Sequence, residues 1–190
     1  SGTGFFVSNS GHIITNEHVI RGCSQVHLQG AFDAEAKVIA TDTKYDLALL
    51  RSDQRSARIA TIRHIDTTTL KMGEPVLVMG YPKDSYKQGE YQLAQAEVVG
   101  VKGPMDEPHW IQFSDSAQQG NSGGPLLDAS GNVAGVIVGK STVTRYVPGR
   151  AEHEVVRKSD VAISLPILKR FMDQHRVSYR MNGSYTYMMA

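Results

Sequence analysis

Short apolar segments separated by turn signals recur along this chain at intervals of about ten residues, the spacing typical of strands in barrels and sandwiches. The turns contain glycine or asparagine, as in residues 9–11 (Asn-Ser-Gly) and 128–132 (Asp-Ala-Ser-Gly-Asn). Both residue types accept the positive φ of a tight turn at low cost. Most segments between the turns are too short for helices. The pattern therefore predicts an all-β fold.

One segment near the end of the chain has a different, helical pattern. Ser164 can cap a helix, Pro166 fits its first turn, and apolar residues follow at helical spacing, which predicts a short C-terminal helix near residues 164–176. The segments predicted as strands are residues 4–7, 12–15, 25–28, 34–41, 47–51, 75–80, 93–101, 111–113, 125–127, 133–138 and 160–164.

The length of 190 residues is enough for one compact domain or for two small, closely packed units. The polar stretch 64–69 separates two strand-rich halves and is the best candidate for a connection between them. We therefore predict an N-terminal unit of residues 1–68 and a C-terminal unit of residues 69–190, the second including the helix and the tail.

Composition excludes several classes of function. The net charge of +1 gives no strong field for nucleic acid or an acidic membrane surface. No apolar run approaches the ~18 residues that a membrane-spanning helix needs. Cys23 is the only cysteine, so no internal disulfide is possible, and we interpret it as a packing residue, with a reactive thiol as the alternative. The histidines are not spaced with carboxylates as metal ligands are, so no metal or cofactor is predicted.

The most informative motif is residues 120–125 (Gly-Asn-Ser-Gly-Gly-Pro), which precede an apolar pair. A serine in such a turn can expose its hydroxyl, and the missing side chain of Gly120 lets its amide face outward. The backbone N–H groups of Gly120 and Ser122 can then converge on one point and stabilise a developing negative charge, as an oxyanion hole does. A glycine-rich hairpin turn is the alternative interpretation.

Two further residues complete a pattern with Ser122. His18 follows a predicted strand, and Asp46 stands at the entry of an apolar strand, where a carboxylate needs a partner such as a histidine N–H. Taken singly, each has an ordinary alternative, a packing or surface histidine and a turn aspartate. Together they form the order His, Asp, Ser, with separations of 28 (46 − 18) and 76 (122 − 46) residues.

These motifs resemble the chymotrypsin clan of serine proteases and are closest to its bacterial HtrA/Deg-like branch. The similarity extends over the segments 1–5, 15–19, 46–49, 120–125 and 160–163. The resemblance implies two Greek-key six-stranded β-barrels with a catalytic triad of His18, Asp46 and Ser122 between them. It also implies a serine endopeptidase that acts on proteins or peptides in the bacterial cell envelope or periplasm, or as a secreted enzyme.

In this clan the floor of the primary substrate pocket lies six positions before the nucleophile, which here is Ser116. The wall is expected from the strand after the nucleophile, here Val136, Ile137, Val138 and Gly139. An uncharged floor and branched walls imply a preference for small to medium apolar residues before the scissile bond. A shift of one residue would instead direct the carboxylate of Asp115 into the pocket and favour basic residues.

Two positions before Ser122 are informative within the clan. Trypsin-like digestive enzymes have an aspartate where this chain has Asn121, which carries no charge for the zymogen-type ion pair with a new amino terminus. Gln119 departs from the HtrA-like relatives, which usually have proline there. Residues 145–158 are interpreted as a charged loop, either solvated or regulatory. The alternative to an active enzyme is a catalytically silent scaffold that keeps the fold and binds peptides or a partner protein. The sequence does not determine the oligomeric state.

Overall fold

The structure, a computed structural model, describes residues 1–30, 33–64, 70–83, 90–102, 108–114 and 116–182. The fold is mostly β, with 46% of residues in strands and 9% in helices, which confirms the predicted class. The strands are β1 Phe5–Phe6, β2 His12–Thr15, β3 Gln25–Leu28, β4 Ala34–Asp42, β5 Leu47–Ser52, β6 Thr61–Ile62, β7 Pro75–Gly80, β8 Gln92–Gly100, β9 Trp110–Phe113, β10 Pro125–Asp128, β11 Val133–Arg145, β12 Glu154–Ser164 and β13 Arg180–Met181. The helices are α1 Glu17–Ile20 and α2 Leu165–Gln174.

The N-terminal half is an antiparallel five-stranded sheet with the strand order β1-β2-β5-β4-β3. Its central strand β5 begins with four buried residues, Leu47 to Leu50, because apolar side chains from both faces of the sheet are covered. Within the described residues this sheet is a half-barrel, so the predicted six-stranded barrel is one strand short here. The predicted boundary at residue 68 falls in the segment 65–69, which lies outside the described residues, and it stays a prediction.

The C-terminal half is a closed barrel of six strands. Its order is β10-β7-β8-β9-β12-β11, and pairing of β10 with β11 closes the ring. Strands β6 and β13 extend the same sheet beyond β11. The closed barrel and the short helix after it confirm the chymotrypsin-like prediction for this half.

A shared apolar core joins the two halves. Ile14 and Leu49 from the N-terminal sheet and Val136 from the barrel belong to one buried cluster, which Leu168 and Phe171 of α2 cover. Pro166 occupies the first turn of α2, as predicted, but the Ser164 side chain makes no capping hydrogen bond. Because one core serves both halves, the residues at their junction are held in fixed relative positions.

The main difference from the predicted elements is a long hairpin. Strands β11 and β12 continue far past the barrel, so residues 145 and 154–158 of the predicted charged loop are strand and residues 146–153 connect the two arms. Arg145 and Glu154 face each other across the end of the ribbon, with 2.7 Å between guanidinium and carboxylate. The ribbon is mostly exposed on both faces and therefore lacks the apolar alternation by which a strand is recognised.

Three short elements, α1, β6 and β13, were also not predicted, since two to four residues carry too little pattern. No helix in the described part of the chain has both the length and the apolar character needed to cross a membrane.

Candidate active site

His18 and Asp46 form a pair held by two hydrogen bonds. The His18 backbone N–H donates to Asp46 Oδ1 at 2.8 Å, and His18 Nδ1 lies 2.6 Å from Asp46 Oδ2. A carboxylate is an acceptor only, so in the neutral ring Nδ1 carries the proton and Nε2 carries the lone pair. The His18 side chain is 38% exposed, which leaves Nε2 able to meet a proton donor.

The backbone around Asp46 is specialised for this pairing. Asp46 has a φ of 54°, in the left-handed region that aspartate and asparagine enter more readily than other side chains. Its backbone carbonyl accepts a hydrogen bond of 2.9 Å from the side-chain amide (Nδ2) of Asn16, a fully buried residue two positions before His18. Asn16 therefore supports the pair, a role that no spacing pattern in the sequence indicates.

Ser122 lies on a turn that is fixed to strand β11. The Gly123 N–H donates to the Ile137 carbonyl at 2.8 Å, and the Ile137 N–H returns a bond of 2.9 Å to the Gly124 carbonyl. Strand β11 has a bulge at Val138, since Ile137 pairs with Ala162 and Gly139 with Val161. The Val138 carbonyl is thus outside the regular ladder, and it accepts a hydrogen bond of 2.8 Å from Ser122 Oγ.

The two backbone amides predicted to form an oxyanion hole have no acceptor within the described residues, since neither Gly120 N–H nor Ser122 N–H donates a hydrogen bond there. The Gln119 carbonyl accepts a hydrogen bond of 2.8 Å from Lys83 N–H. This carbonyl and the Gly120 N–H belong to the same trans peptide, in which the C=O and N–H point in opposite directions. The Gly120 N–H is therefore directed away from Lys83. Gly120 has a φ of 104°, and a methyl group on it would lie 2.5 Å from the Tyr81 carbonyl, so only glycine fits.

The N-terminal segment brings the two sides of the site together. Thr3 N–H donates to the Ser122 carbonyl at 2.8 Å, and Thr3 Oγ1 donates to the Gly120 carbonyl at 2.7 Å. On the other side Thr15 Oγ1, at the end of β2, donates to the Thr3 carbonyl at 2.7 Å. Gly123 packs against Thr3, Thr15 and the Asn16 backbone so closely that no side chain would fit there. The turn of Ser122 thus contacts the segment that leads into His18.

A family model for the trypsin-like peptidase domain matches residues 2–136. The chain belongs to that family. An uncharacterized protein (y4bJ) of Sinorhizobium fredii is 39% identical over 74% of this chain and 22% of its own length. A protein of Pseudomonas savastanoi named as a probable periplasmic serine endoprotease, DegP-like, is 36% identical over 71% of this chain and 28% of its own length. The chain therefore spans about a quarter of the length of these curated relatives.

The solved structures agree with the sequence comparison. The serine endoprotease of Yersinia pestis superimposes with a TM-score of 0.70 and 25% identity, over 91% of this chain and 56% of that one. The resemblance to the DegP/HtrA proteases of the chymotrypsin clan is thereby confirmed for this trypsin-like peptidase domain.

The residues predicted for the primary pocket of the peptidase domain differ in exposure. Val136 and Ile137 have no exposed surface and lie in the cores, so only Val138 and Gly139 of the predicted wall reach the surface. Ser116 is half-buried, and its hydroxyl donates to the Ser114 carbonyl at 3.0 Å. Asp115 lies outside the described residues.

A residue not predicted for the pocket of the peptidase domain contacts its expected floor. Asp160 is fully buried, and its Oδ2 accepts hydrogen bonds of 2.8 Å from the backbone N–H groups of Ser116 and of Ala117. These residues are more than 40 positions apart along the chain, at separations of 44 and 43, so no local motif could have indicated the contact.

Charges near His18 are also fixed by local contacts. The hydrogen bond from Arg21 lowers the pKa of Glu17, the residue before His18, and the guanidinium lies 2.7 Å from the carboxylate.

Asn121 is buried, and its Oδ1 has no hydrogen-bond partner in the described part of the chain. Within that part, no group of three or more histidine, cysteine or acidic side chains is placed to hold a metal ion.

Proposed function

We propose that this domain is a serine endopeptidase that hydrolyses peptide bonds in proteins, with Ser122 as nucleophile, His18 as general base and Asp46 as the residue that orients His18. The observation that carries the proposal is the His18–Asp46 pair, which leaves Nε2 as the basic atom of an exposed imidazole. The contact of the Ser122 turn with the segment leading to His18 supports it.

In the proposed reaction, Ser122 Oγ turns from the Val138 carbonyl toward His18 Nε2. Oγ then bonds to the carbonyl carbon of the substrate while its proton passes to Nε2. The negative charge on the carbonyl oxygen is stabilised by the N–H groups of Gly120 and Ser122. The C–N bond breaks as His18 returns the proton to the leaving amine, and an acyl group remains on Ser122.

Water completes the cycle. His18 Nε2 takes a proton from water as its oxygen attacks the acyl carbon, and the ester bond to Oγ breaks as the proton passes back to Ser122. Asp46 stabilises the imidazolium in both half-reactions, because its Oδ2 accepts from Nδ1 throughout. Protein or peptide chains are the proposed substrates. The periplasmic relative supports a location in the cell envelope or outside the cell.

A silent scaffold is the competing proposal, because Ser122 Oγ donates to Val138 rather than to His18 in the described structure. Covalent labelling by a fluorophosphonate probe separates the two. We expect the purified chain to be labelled on Ser122 and to cut casein, and the variant Ser122→Ala to show neither. Ser130→Ala, on an exposed turn, is the matched control and should be labelled like the original chain.

An unlabelled chain that is folded by circular dichroism would contradict the endopeptidase. Labelling or casein cleavage that persists in Ser122→Ala would show that the nucleophile is a different residue.

A further inference from the structure

Asp160 is a fully buried ionisable residue beside the core of the barrel. Its side chain has no exposed surface, and its neighbours on the two flanking strands are Phe113 of β9 and Lys140 of β11. Ala162, two positions further on β12, lies in the barrel core together with Phe113 and Ala117. A carboxylate in such a place is costly unless its oxygens are satisfied. The burial of a carboxylate at position 160 therefore needs an explanation other than packing.

The two carboxylate oxygens of Asp160 are not used alike. Oδ2 accepts the short bonds from the Ser116 and Ala117 amides, both 2.8 Å, which fix the loop that leads toward Ser122. Oδ1 faces the Lys140 ammonium at 3.4 Å, and the Lys140 side chain is 57% exposed. Charge-assisted bonds of this kind are normally ~2.7–2.9 Å, so Oδ1 has capacity for a closer cation.

The position of Asp160 relative to the nucleophile follows from strand register. Ser122 Oγ bonds to the Val138 carbonyl, and a methyl group on Gly139 would lie 4.0 Å from the same oxygen. Lys140 is the next residue, and it pairs directly with Asp160. Two residues of rise and one step across the sheet, at ~3.3 Å and ~4.8 Å, give a separation of about 8 Å between the backbones of Asp160 and Val138, the residue to which Ser122 is bonded.

That distance suits an extended lysine or arginine side chain whose α-carbon lies beside the scissile bond. Asp160 contacts the loop before Ser122 through the Ser116 and Ala117 amides, and it faces the strand beside Ser122 through Lys140. A substrate side chain that extends from Ser122 along these two segments would approach Asp160 with its tip.

We propose, on the basis of the proposed peptidase function, that Asp160 determines specificity and that its Oδ1 binds the cationic side chain of arginine or lysine immediately before the scissile bond. In the absence of substrate, the Lys140 ammonium is the positive charge beside Asp160. The substrate cation displaces this ammonium toward solvent. This replaces the apolar preference inferred from Ser116, whose hydroxyl is bonded to the Ser114 carbonyl and offers no charge.

Asp160 could instead serve only to hold the loop at Ser116 and Ala117. Oδ2 alone performs that task, and the amide oxygen of an asparagine could replace it. The substitution Asp160→Asn therefore retains an acceptor for the loop and removes the negative charge.

The first test is kinetic and uses matched peptides that differ only before the scissile bond, with arginine, lysine, valine or leucine. We expect kcat/KM to be highest for arginine and lysine, and Asp160→Asn to lower it for these two by about a hundredfold, the scale seen when one partner of a buried charge pair is lost. The valine and leucine peptides should change less than threefold. Equal losses for all four peptides, or a preference for valine in the original chain, would overturn the proposal.

The second test measures binding without turnover. On the Ser122→Ala background, benzamidine, an aromatic amidinium, should bind, and calorimetry should show at least a tenfold weaker Kd after Asp160→Asn. Lys140→Ala should tighten benzamidine binding, because the competing cation is gone. The matched control is Asp53→Asn, which removes one negative charge from an exposed position and should leave the Kd unchanged.

The folding of Asp160→Asn is tested by its melting curve. If it does not fold, the proposal is tested by the substrate preference of the original chain and by the effect of Lys140→Ala on benzamidine binding. No benzamidine binding to the original site, or no change on Lys140→Ala, would overturn the proposal. Failure of the peptidase function appears differently, as absence of fluorophosphonate labelling at Ser122. Labelling without a preference for arginine or lysine refutes only the role of Asp160.

Discussion

The two halves of the domain hold their parts of the candidate site in different states. In the N-terminal half, the His18 imidazole and backbone are both bound to the Asp46 carboxylate, at 2.6 and 2.8 Å. In the C-terminal half, the backbone of the turn that carries Ser122 is fixed, but the Ser122 hydroxyl is bonded to Val138. For the proposed reaction, the His18–Asp46 pair is therefore arranged in advance, and the Ser122 side chain has still to rotate about its Cα–Cβ bond, a change between staggered rotamers.

Asp46→Asn tests the N-terminal half and should have the largest effect. The amide can still accept from the His18 backbone, but its NH₂ group favours the tautomer with the proton on Nε2, so the base is lost. We expect kcat to fall by about 10⁴-fold with the melting temperature nearly unchanged, the effect described for the aspartate of a Ser-His-Asp triad. Steady-state kinetics on one peptide substrate measures it, with Asp53→Asn as the control. A loss below tenfold would mean that the pair is not the catalytic base.

Gly120→Ala tests the C-terminal half. The methyl group would meet the Tyr81 carbonyl at 2.5 Å and strain a φ of 104°, so the loop must shift and the Gly120 N–H must leave its direction. Loss of one such donor lowers kcat by about 10²–10³-fold. Gly131→Ala is matched in strain, with a φ of 81° and no atom within 4 Å of the added methyl group. It should cost ~1 kcal/mol of stability and leave kcat unchanged. Equal kinetics for the two variants would show that the Gly120 amide takes no part.

Thr3→Val tests the connection between the halves. The valine keeps the shape but loses the bond of 2.7 Å to the Gly120 carbonyl and the one of 3.0 Å from Tyr81 N–H. We expect kcat/KM to fall about tenfold and stability to fall by about 1–2 kcal/mol, because the Tyr81 amide is left without its acceptor. Denaturant unfolding and the rate of fluorophosphonate labelling measure the two effects. Thr142→Val, on the exposed ribbon, is the control, and a Thr3 variant that labels as fast as this control would contradict the coupling.

His12 provides the smallest effect, one confined to stability. Partial burial lowers the pKa of its imidazole, and the nearby charge of Arg51 lowers it further. The unfolded chain therefore takes up a proton more readily, so the stability that His12 contributes is present above pH ~6.5 and is lost as the pH falls through the lowered value. Solvent screening limits this to about 0.5 kcal/mol. Urea unfolding at pH 7 and pH 5 should show a smaller acid loss in His12→Asn, and an equal loss would refute the assignment.

The sequence was sufficient to predict features that depend on residues close together in the chain. Strands β2, β3 and β7 have the predicted bounds. Burial alternates along β3 and β7 with the period of two of a sheet, and three of the four residues of β2 are buried. The motif around Ser122 contains the turn of the candidate nucleophile and both candidate amides within a few residues.

The parts that were not predicted depend on distant partners. The contact of Asp160 with the loop at Ser116 joins residues 44 apart, and that of Thr3 with the Gly120 carbonyl joins residues 117 apart. The outer parts of β11 and β12 are exposed ribbon, so pairing between the two arms, rather than burial, defines them. Neither composition nor periodicity indicates which distant residues come into contact.

The parallel pairing of β6 with both β11 and β13 has a consequence for the newly made chain. Arg180 reaches back to Thr61 Oγ1 at 3.1 Å and to the Ile59 carbonyl at 3.2 Å, across 119 and 121 residues. During synthesis, the Ala60 N–H bond to the Phe6 carbonyl can form early, but the bonds of Thr61 and Ile59 to Arg180 form only after residue 180 has left the ribosome. Arg55 and Arg58 are exposed on the segment before β6. For an arginine-selective peptidase they are cleavage sites within its own sequence, so we expect finished molecules to cut incomplete ones there first.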